Sequence, residues 1–281
     1  MCIKYLISKT FLQVFTSEHC KASALQATAA LFFVIIAPQA WGVSNMGNVH
    51  LSPAAPGVSG EFNLGFGGAE GNTEKMAFSL DTHIDRVTLR HTTVLLFGGA
   101  YGESDQVKDT EEMFLHVRHI RPQTSALSWD NFAQVESNTF TRLSYRALIG
   151  SGARWQLFAS SQDDSSSENK TFLGLGAFIE RERLEAGSSA YVKETDATRG
   201  NLYFITQFRV NPQSVIKSSS YWQPDLEQLS DARALQDFTL EVAMAKRVDL
   251  ALSLKIKHDT EPPVGVERTD ITYQTGVSVK F

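Results

Sequence analysis

The twelve residues DITYQTGVSVKF (270–281) alternate between apolar and polar side chains along their whole length. Such a period of two is the signature of a β-strand with one apolar face. The stretch stops at an aromatic residue, and a last strand that pairs with the first would close a barrel and remove both sheet edges. The apolar face carries Ile271, Tyr273, Thr275, Val277, Val279 and Phe281.

The same alternation runs back through the chain to residue 59, and no convincing 3.6-residue period occurs beyond the N-terminal segment. The strand at 169–183 is weakly marked because Phe172 and Phe178 break the alternation, and the strand at 214–224 because of a serine run. Twelve strands are predicted, and an even number is typical of a single-chain bacterial barrel. They lie at 59–68, 73–86, 88–102, 110–121, 126–137, 142–159, 169–183, 199–211, 214–224, 233–245, 248–260 and 267–281.

The lengths of the connections give an independent test, because outer-membrane barrels have short periplasmic turns and longer external loops. The even-numbered connections at Val87, 121–123, 212–213 and Arg247 are short. The odd-numbered loops at 103–109, 184–198, 225–232 and 261–266 are longer. The polar segment at 160–168 breaks this rule, so it is either a long periplasmic loop or a sign that the strand count is off by one there.

The N-terminal 42 residues have the pattern of a cleaved secretory signal peptide. Three lysines precede the apolar run AALFFVIIA (29–37), and small residues follow at Ala40 and Gly42, so cleavage is expected after Gly42. The run is too short to span a membrane as a helix, and a buried core helix is the alternative. A periplasmic segment (43–58) would link this peptide to the barrel (59–281).

The composition excludes several classes of function. Both cysteines, Cys2 and Cys20, lie in the predicted signal peptide, so the mature chain would carry no disulfide, reactive thiol or cysteine–zinc site. A formal net charge of −5 argues against a nucleic-acid partner, which would need a basic surface. No phosphate-binding glycine motif occurs, and we expect no cofactor.

Charged residues fall mainly on the polar face of the predicted strands, where they would point into the barrel. A charge on the lipid face would cost about 2–4 kcal/mol near the middle of the membrane. Both signs occur, so these residues would either line a narrow aqueous path or pair into a plug. The candidate lumen-lining residues are Lys75, Asp81, Asp85, Arg90, Glu112, His116, Arg118, Asp130, Glu136, Arg146 and Arg154.

Aromatic residues supply candidates for the girdles that mark the two membrane interfaces, although ordinary strand aromatics are an equal alternative. These candidates are Trp41, Trp129, Trp155, Trp222, Tyr101 and Tyr221.

Catalytic and metal sites are poorly supported, and we expect a protein that is not an enzyme. His116 and His119 are an odd spacing apart and should lie on opposite faces of their strand. Ser151 is expected on the lipid face, outside the Gly-x-Ser-x-Gly turn of a hydrolase. The acidic run at 163–168 is best explained as a solvated loop. An outer-membrane hydrolase would need His83, His91 or His258 beside paired carboxylates at the extracellular rim.

Three segments together resemble the salt-induced outer-membrane proteins, a family grouped under a domain of unknown function. They are GEFNLGFGGAEGNTE (60–74), then Arg146 with GSGAR (150–154), then PPVGV (262–266) followed by Thr269 and Asp270. The resemblance covers residues 59–281. It implies an outer-membrane barrel and brings no established activity and no catalytic residues.

Together these features predict a transmembrane up-and-down antiparallel barrel in the outer membrane of a Gram-negative bacterium, reached by a secretory signal peptide. We expect an envelope role, as a narrow passive pore or in the response to salt or osmotic stress. The alternatives are a non-conducting structural or interaction barrel, a soluble periplasmic barrel that binds a small apolar ligand, and an outer-membrane hydrolase.

The expected partners follow from that location, and the oligomeric state stays open. They are the lipid of the outer membrane and, during biogenesis, periplasmic chaperones and the barrel-assembly machinery. The C-terminal strand resembles the signal that this machinery recognises, through Tyr273, Val277, Val279 and Phe281.

Overall fold

The computed structural model describes residues 56–69, 75–139, 141–160, 169–185, 192–263 and 265–281. The predicted signal peptide, Trp41 and nearly all of the predicted segment 43–58 lie outside these residues. Within the described ranges, no helix is long and apolar enough to cross a membrane.

Twelve antiparallel strands form one closed barrel, in which each strand pairs with its neighbours in sequence and β1 pairs with β12. This confirms the predicted fold and strand number. The strands are β1 (Gly57–Ala69), β2 (Lys75–Val87), β3 (Thr92–Ser104), β4 (Val107–Pro122), β5 (Leu127–Asn138), β6 (Leu143–Ser160), β7 (Asn169–Glu185), β8 (Val192–Asn211), β9 (Ser214–Pro224), β10 (Ala232–Ala245), β11 (Val248–Asp259) and β12 (Thr269–Lys280).

The barrel closes through a short register between β1 and β12, from Glu61 opposite Lys280 to Leu64 opposite Val277. The amide of Phe281 donates to the carbonyl of Gly60 at 3.0 Å, and the amide of Gly60 donates back at 3.2 Å. Outside the barrel, the rings of Phe62 and Phe281 stack with their centroids 5.1 Å apart. Phe281 therefore contacts β1 through both its backbone and its side chain.

The two faces of the barrel have opposite character. Apolar side chains such as Ile149, 60 % exposed, and Leu175, 57 % exposed, point outward, whereas charged strand residues such as Arg118 and Asp130 are buried inside. Soluble proteins rarely expose an apolar surface of this extent to water, whereas a barrel in lipid needs one. The chain is therefore a transmembrane barrel. The alternative of a soluble barrel that binds a small apolar ligand is not supported, because it required the apolar side chains to point inward.

The two weakly marked strands both form, and their irregularities have physical reasons. On β7, Phe172 and Phe178 point inward and are buried, so large apolar residues occupy both faces. On the outer face of β9, Ser218 and Ser220 bond to the amide of Gln236 at 2.9 and 2.5 Å. These bonds satisfy the polar groups that face lipid.

Several predicted boundaries were wrong by a few residues. Strand β8 begins at Val192 rather than 199, and the connection predicted at 103–109 is a two-residue turn at 105–106. Strand β3 begins at Thr92, so residues 88–91 form the preceding turn. The loop at 161–168 lies outside the described residues, but β6 and β7 pair on either side of it, so the strand count holds there.

The barrel has a turn end and a loop end. Among the described connections, those at the turn end are 88–91, 123–126, 212–213 and 246–247, which lie beside the start of β1 and the end of β12. The loop end holds the longer connections 225–231 and 260–268, besides two short ones at 105–106 and 139–142. By the usual pattern of outer-membrane barrels, the turn end faces the periplasm.

Outward-facing aromatic residues lie near both ends. Trp129 and Trp155 are exposed towards the turn end, and Tyr101 and Trp222 are exposed towards the loop end. These four positions fit the two girdles. The prediction for Tyr221 was wrong, because the alternation of β9 turns Trp222 outward and buries Tyr221 in the interior.

We predict that a charge placed on the outer face costs stability according to its depth. Leu254→Arg, in the middle of β11, should lower the free energy of unfolding by about 2–4 kcal/mol. Met244→Arg, on the exposed end of β10 beside the turn, should cost about 0–1 kcal/mol. Reversible unfolding from phospholipid vesicles measures both values, and equal losses would contradict the assigned membrane band.

Candidate functional site: the barrel interior

Most of the predicted lumen-lining residues point into the barrel. The side chain of Lys75, the first residue of β2, is not among those described. The prediction for Arg90 was wrong, because β3 begins two residues later and leaves Arg90 exposed in the turn 88–91. The inward residues are Asp81, Asp85, Glu112, His116, Arg118, Asp130, Glu136, Arg146 and Arg154.

Towards the loop end, buried ion pairs cross the interior. Arg146 donates to Glu182 at 2.7 and 3.0 Å and to Glu136 at 2.8 Å. Arg233, from the far side of the barrel, donates to Glu180 at 2.9 Å and to Glu182 at 3.1 Å. Two glutamates of β7 are thus shared by arginines of β6 and β10.

A third arginine extends these pairs to the mouth of the barrel. Arg199 donates to Glu180 at 2.6 Å and to Asp231, in the loop 225–231, at 3.0 Å. Arg233 also reaches Asp259 at 3.1 Å. We call this set the arginine network: Arg146, Arg199, Arg233, Glu136, Glu180, Glu182, Asp231 and Asp259.

The sequence pointed to only two members of this network, Arg146 and Glu136. Around Glu180 and Glu182 both faces of β7 carry charge, since Arg181 and Arg183 alternate with them, so alternation could not separate inside from outside. The reason is that β7 extends beyond the apolar band, where Arg181 pairs with Asp196 in the open at 2.6 Å.

The middle of the interior holds an aromatic plug. Arg118 lies between the rings of Phe132 and Tyr203, 5.4 Å from each centroid, and pairs with Asp130 at 3.4 Å. The hydroxyl of Tyr203 donates to Asp130 at 2.8 Å. The plug is completed by a buried apolar cluster of Val94, Leu96, Ile120, Phe172, Tyr203, Ile205, Tyr221 and Leu235. It fills the interior along β3 to β10.

The opposite side of the interior, along β1, β2 and β10 to β12, is lined by small and polar residues. A cavity of about 50 Å³ lies there between Asn63, Asp81, Thr239, Ser253 and Gln274. A second cavity of similar volume lies at the loop end, bordered by the arginine network, Lys257 and the loop 260–268. Each has room for a few water molecules.

A lysine cluster borders this polar side at the turn end. Lys217 contacts Glu241 at 2.5 Å and Glu61 at 3.9 Å. Lys280 pairs with Asp249 and approaches Glu241 at 3.3 Å. The polar side of the interior therefore runs between two groups of ion pairs, one at each end.

The residues considered for hydrolysis are not brought together. His83 is buried inside and bonds to Asp85 at 3.1 Å, while His258 is bound to Thr269 on the outer face and His91 lies in the turn 88–91. Ser151 points outward and donates to Asn131 at 2.8 Å. Among the described residues, no group of three or more His, Cys, Asp or Glu side chains could hold a metal ion.

As their odd spacing predicted, the two histidines of β4 point to opposite faces of the strand. His116 is buried inside and bonds to Gln134 at 2.9 Å, whereas His119 faces outward beside Thr93. The pair therefore cannot bind one ion between them.

A family model described as "Protein of unknown function, DUF481" matches residues 62–281. Several solved barrels match the chain at low identity. The NanC porin is 9 % identical with a TM-score of 0.47, covering 80 % of this chain and 100 % of its own. The translocator domain of the autotransporter NalP from Neisseria meningitidis is 10 % identical with a TM-score of 0.43, covering 82 % and 91 %. No curated protein matches.

We predict that the arginine network is far more sensitive to truncation than an exposed ion pair. Arg233→Ala leaves the buried carboxylates of Glu180 and Glu182 short of a partner and should lower the free energy of unfolding by about 3–5 kcal/mol. Arg181→Ala removes an arginine from an exposed pair and should change stability little. Urea unfolding in vesicles compares the two, and equal effects would contradict the buried network.

Proposed function

We propose that this chain, which belongs to the family described as Protein of unknown function, DUF481, forms a narrow passive pore for small ions in the bacterial outer membrane. The observation that carries this proposal is the polar cavity between β1, β2 and β10 to β12. It is the side of the interior that the aromatic plug leaves unfilled.

The outer-membrane location is supported by the two faces of the barrel. A closed barrel and an α-helix are the only structures that span lipid with every backbone group paired. The barrel's apolar exterior and buried charged interior fit that environment, and the long loops at one end fit an outer-membrane orientation.

The size of the passage decides which solutes could cross. The aromatic plug and the ion pairs leave only small cavities, so sugars and peptides would be excluded, while small ions could pass with modest movement of side chains. Asp81 and Asp237 line the cavity together with Lys255, and Glu241, which also lines it, is already paired with Lys217. With Glu241 paired in this way, the two aspartates outnumber Lys255 on the lining, which favours cations. The expected role in salt or osmotic balance would follow from such permeation.

A non-conducting structural barrel is the second candidate, and the arginine network favours it. The network joins six strands, β5, β6, β7, β8, β10 and β11, across the interior near the loop end. If it holds its geometry continuously, ions would not pass. The positions of the candidate histidines give no support to a hydrolase.

We predict that filling the polar cavity abolishes conductance. Ser253 lines the cavity and Leu252 faces lipid beside it. Ser253→Trp should remove single-channel conductance in a planar bilayer, whereas Leu252→Trp should leave it unchanged. The isosteric change Asp81→Asn should keep the channel open and reduce its preference for cations.

The wild-type recording separates the two candidates. Small cation-preferring channels support the pore, and a heat-dependent gel shift verifies that each variant is folded. No conductance from correctly folded wild-type protein, or the same conductance after Ser253→Trp, would overturn the proposed pore and leave the structural barrel.

A further inference from the structure

A group of basic side chains lies on the outer surface at the turn end of β2, β3 and β4. We call it the turn-end basic patch: Arg86, Arg90, His91, His119 and Arg121. None of these residues belongs to the interior described above. Arg86, Arg90 and Arg121 are exposed, and the two histidines are half-buried.

The patch is held together by neighbouring strands. Thr93 of β3 lies opposite both Arg86 of β2 and His119 of β4. The Thr93 hydroxyl is 3.3 Å from Nδ1 of His119, and the rings of His91 and His119 have centroids 4.7 Å apart. In the described part of the chain, the three arginines form no ion pair, so their N–H groups are available to a ligand.

Aromatic and apolar neighbours place the patch at the membrane surface. Arg121 is the register partner of Trp129, an exposed girdle residue. Leu89, at the tip of the turn 88–91, is 92 % exposed, and Val58 of β1 is 65 % exposed. A shallow groove runs between Val58 and Leu89 and is lined by Arg86 and Arg90. Apolar groups thus lie beside cationic ones at the depth of lipid headgroups.

Among the described residues, the exposed charge of this end differs from that of the other. The exposed residues of the described turn end include Lys246 and Arg247 besides the three arginines of the patch, and no Asp or Glu side chain is exposed there. At the loop end, exposed acidic residues are frequent: Asp105, Glu111, Glu185, Glu194, Asp196, Glu227, Glu261 and Glu267.

We propose that the turn-end basic patch binds the phosphate headgroup of an anionic phospholipid in the leaflet that surrounds the turn end. Arg86, Arg90 and Arg121 donate to the phosphate oxygens, and the ring N–H groups of His91 and His119 can add to them. Leu89 and Val58 contact the first part of the acyl chains. Each arginine near an anionic surface is worth about fivefold in affinity.

The test compares the full-length wild type with two matched triple variants in nanodiscs. Arg86→Gln, Arg90→Gln and Arg121→Gln remove three charges from the patch, and Arg183→Gln, Lys193→Gln and Arg268→Gln remove three from the loop end. The measurement is the number of phosphatidylglycerol molecules retained in native mass spectra, against phosphatidylcholine with the same chains. Glycerol phosphate and inorganic phosphate, added separately, show whether the phosphate alone suffices.

We expect the wild type and the loop-end variant to retain phosphatidylglycerol in preference to phosphatidylcholine, and the patch variant to lose the preference by more than tenfold. Replacing the same three arginines by lysine should restore most of it. Equal retention by all three proteins, equal losses in both glutamine variants, or no preference in the wild type would overturn the proposal. Comparable binding of free phosphate would overturn the assignment to lipid.

Discussion

The structure depends on one constraint: in lipid, every backbone N–H and C=O group must find its partner within the protein. A sheet of twelve strands meets this constraint only if its first and last strands pair. The pairing between β1 and β12 has the shortest register of the strand pairings, with four residue pairs from Glu61 to Leu64. The backbone exchange between Gly60 and Phe281 extends it to the end of the chain.

Closure in turn decides where the charges go. Within the apolar band of the outer face, the ionisable residues of the strands can only point inward, where water is scarce. A single buried charge is costly, but shared carboxylates and bidentate arginines recover much of that cost. The arginine network and the lysine cluster are therefore consequences of the barrel as much as functional features. On the polar side of the interior, small side chains lie between the arginine network at one end and the lysine cluster at the other.

The alternation of side chains made the fold predictable, because period two is a local property of each strand. It gave the strand number and the inward position of residues such as His116 and Arg118. It failed at Arg90, where a turn residue continues the alternation of the following strand, and at Tyr221, where two adjacent aromatic residues leave the direction ambiguous. Alternation could not predict the partners within the arginine network, because Arg146 and Arg233 come to share Glu182 only when the sheet curves into a closed barrel.

The most direct test of this account is a single-cysteine scan of β11 after Cys2 and Cys20 have been replaced by serine. A fluorescent label is attached in turn to each position from 249 to 256, and its quenching by brominated lipid is measured. The account predicts strong quenching at Leu250, Leu252, Leu254 and Ile256, and weak quenching at Asp249, Ala251, Ser253 and Lys255. Quenching without alternation, or with the opposite phase, would contradict a barrel with its apolar face in the membrane.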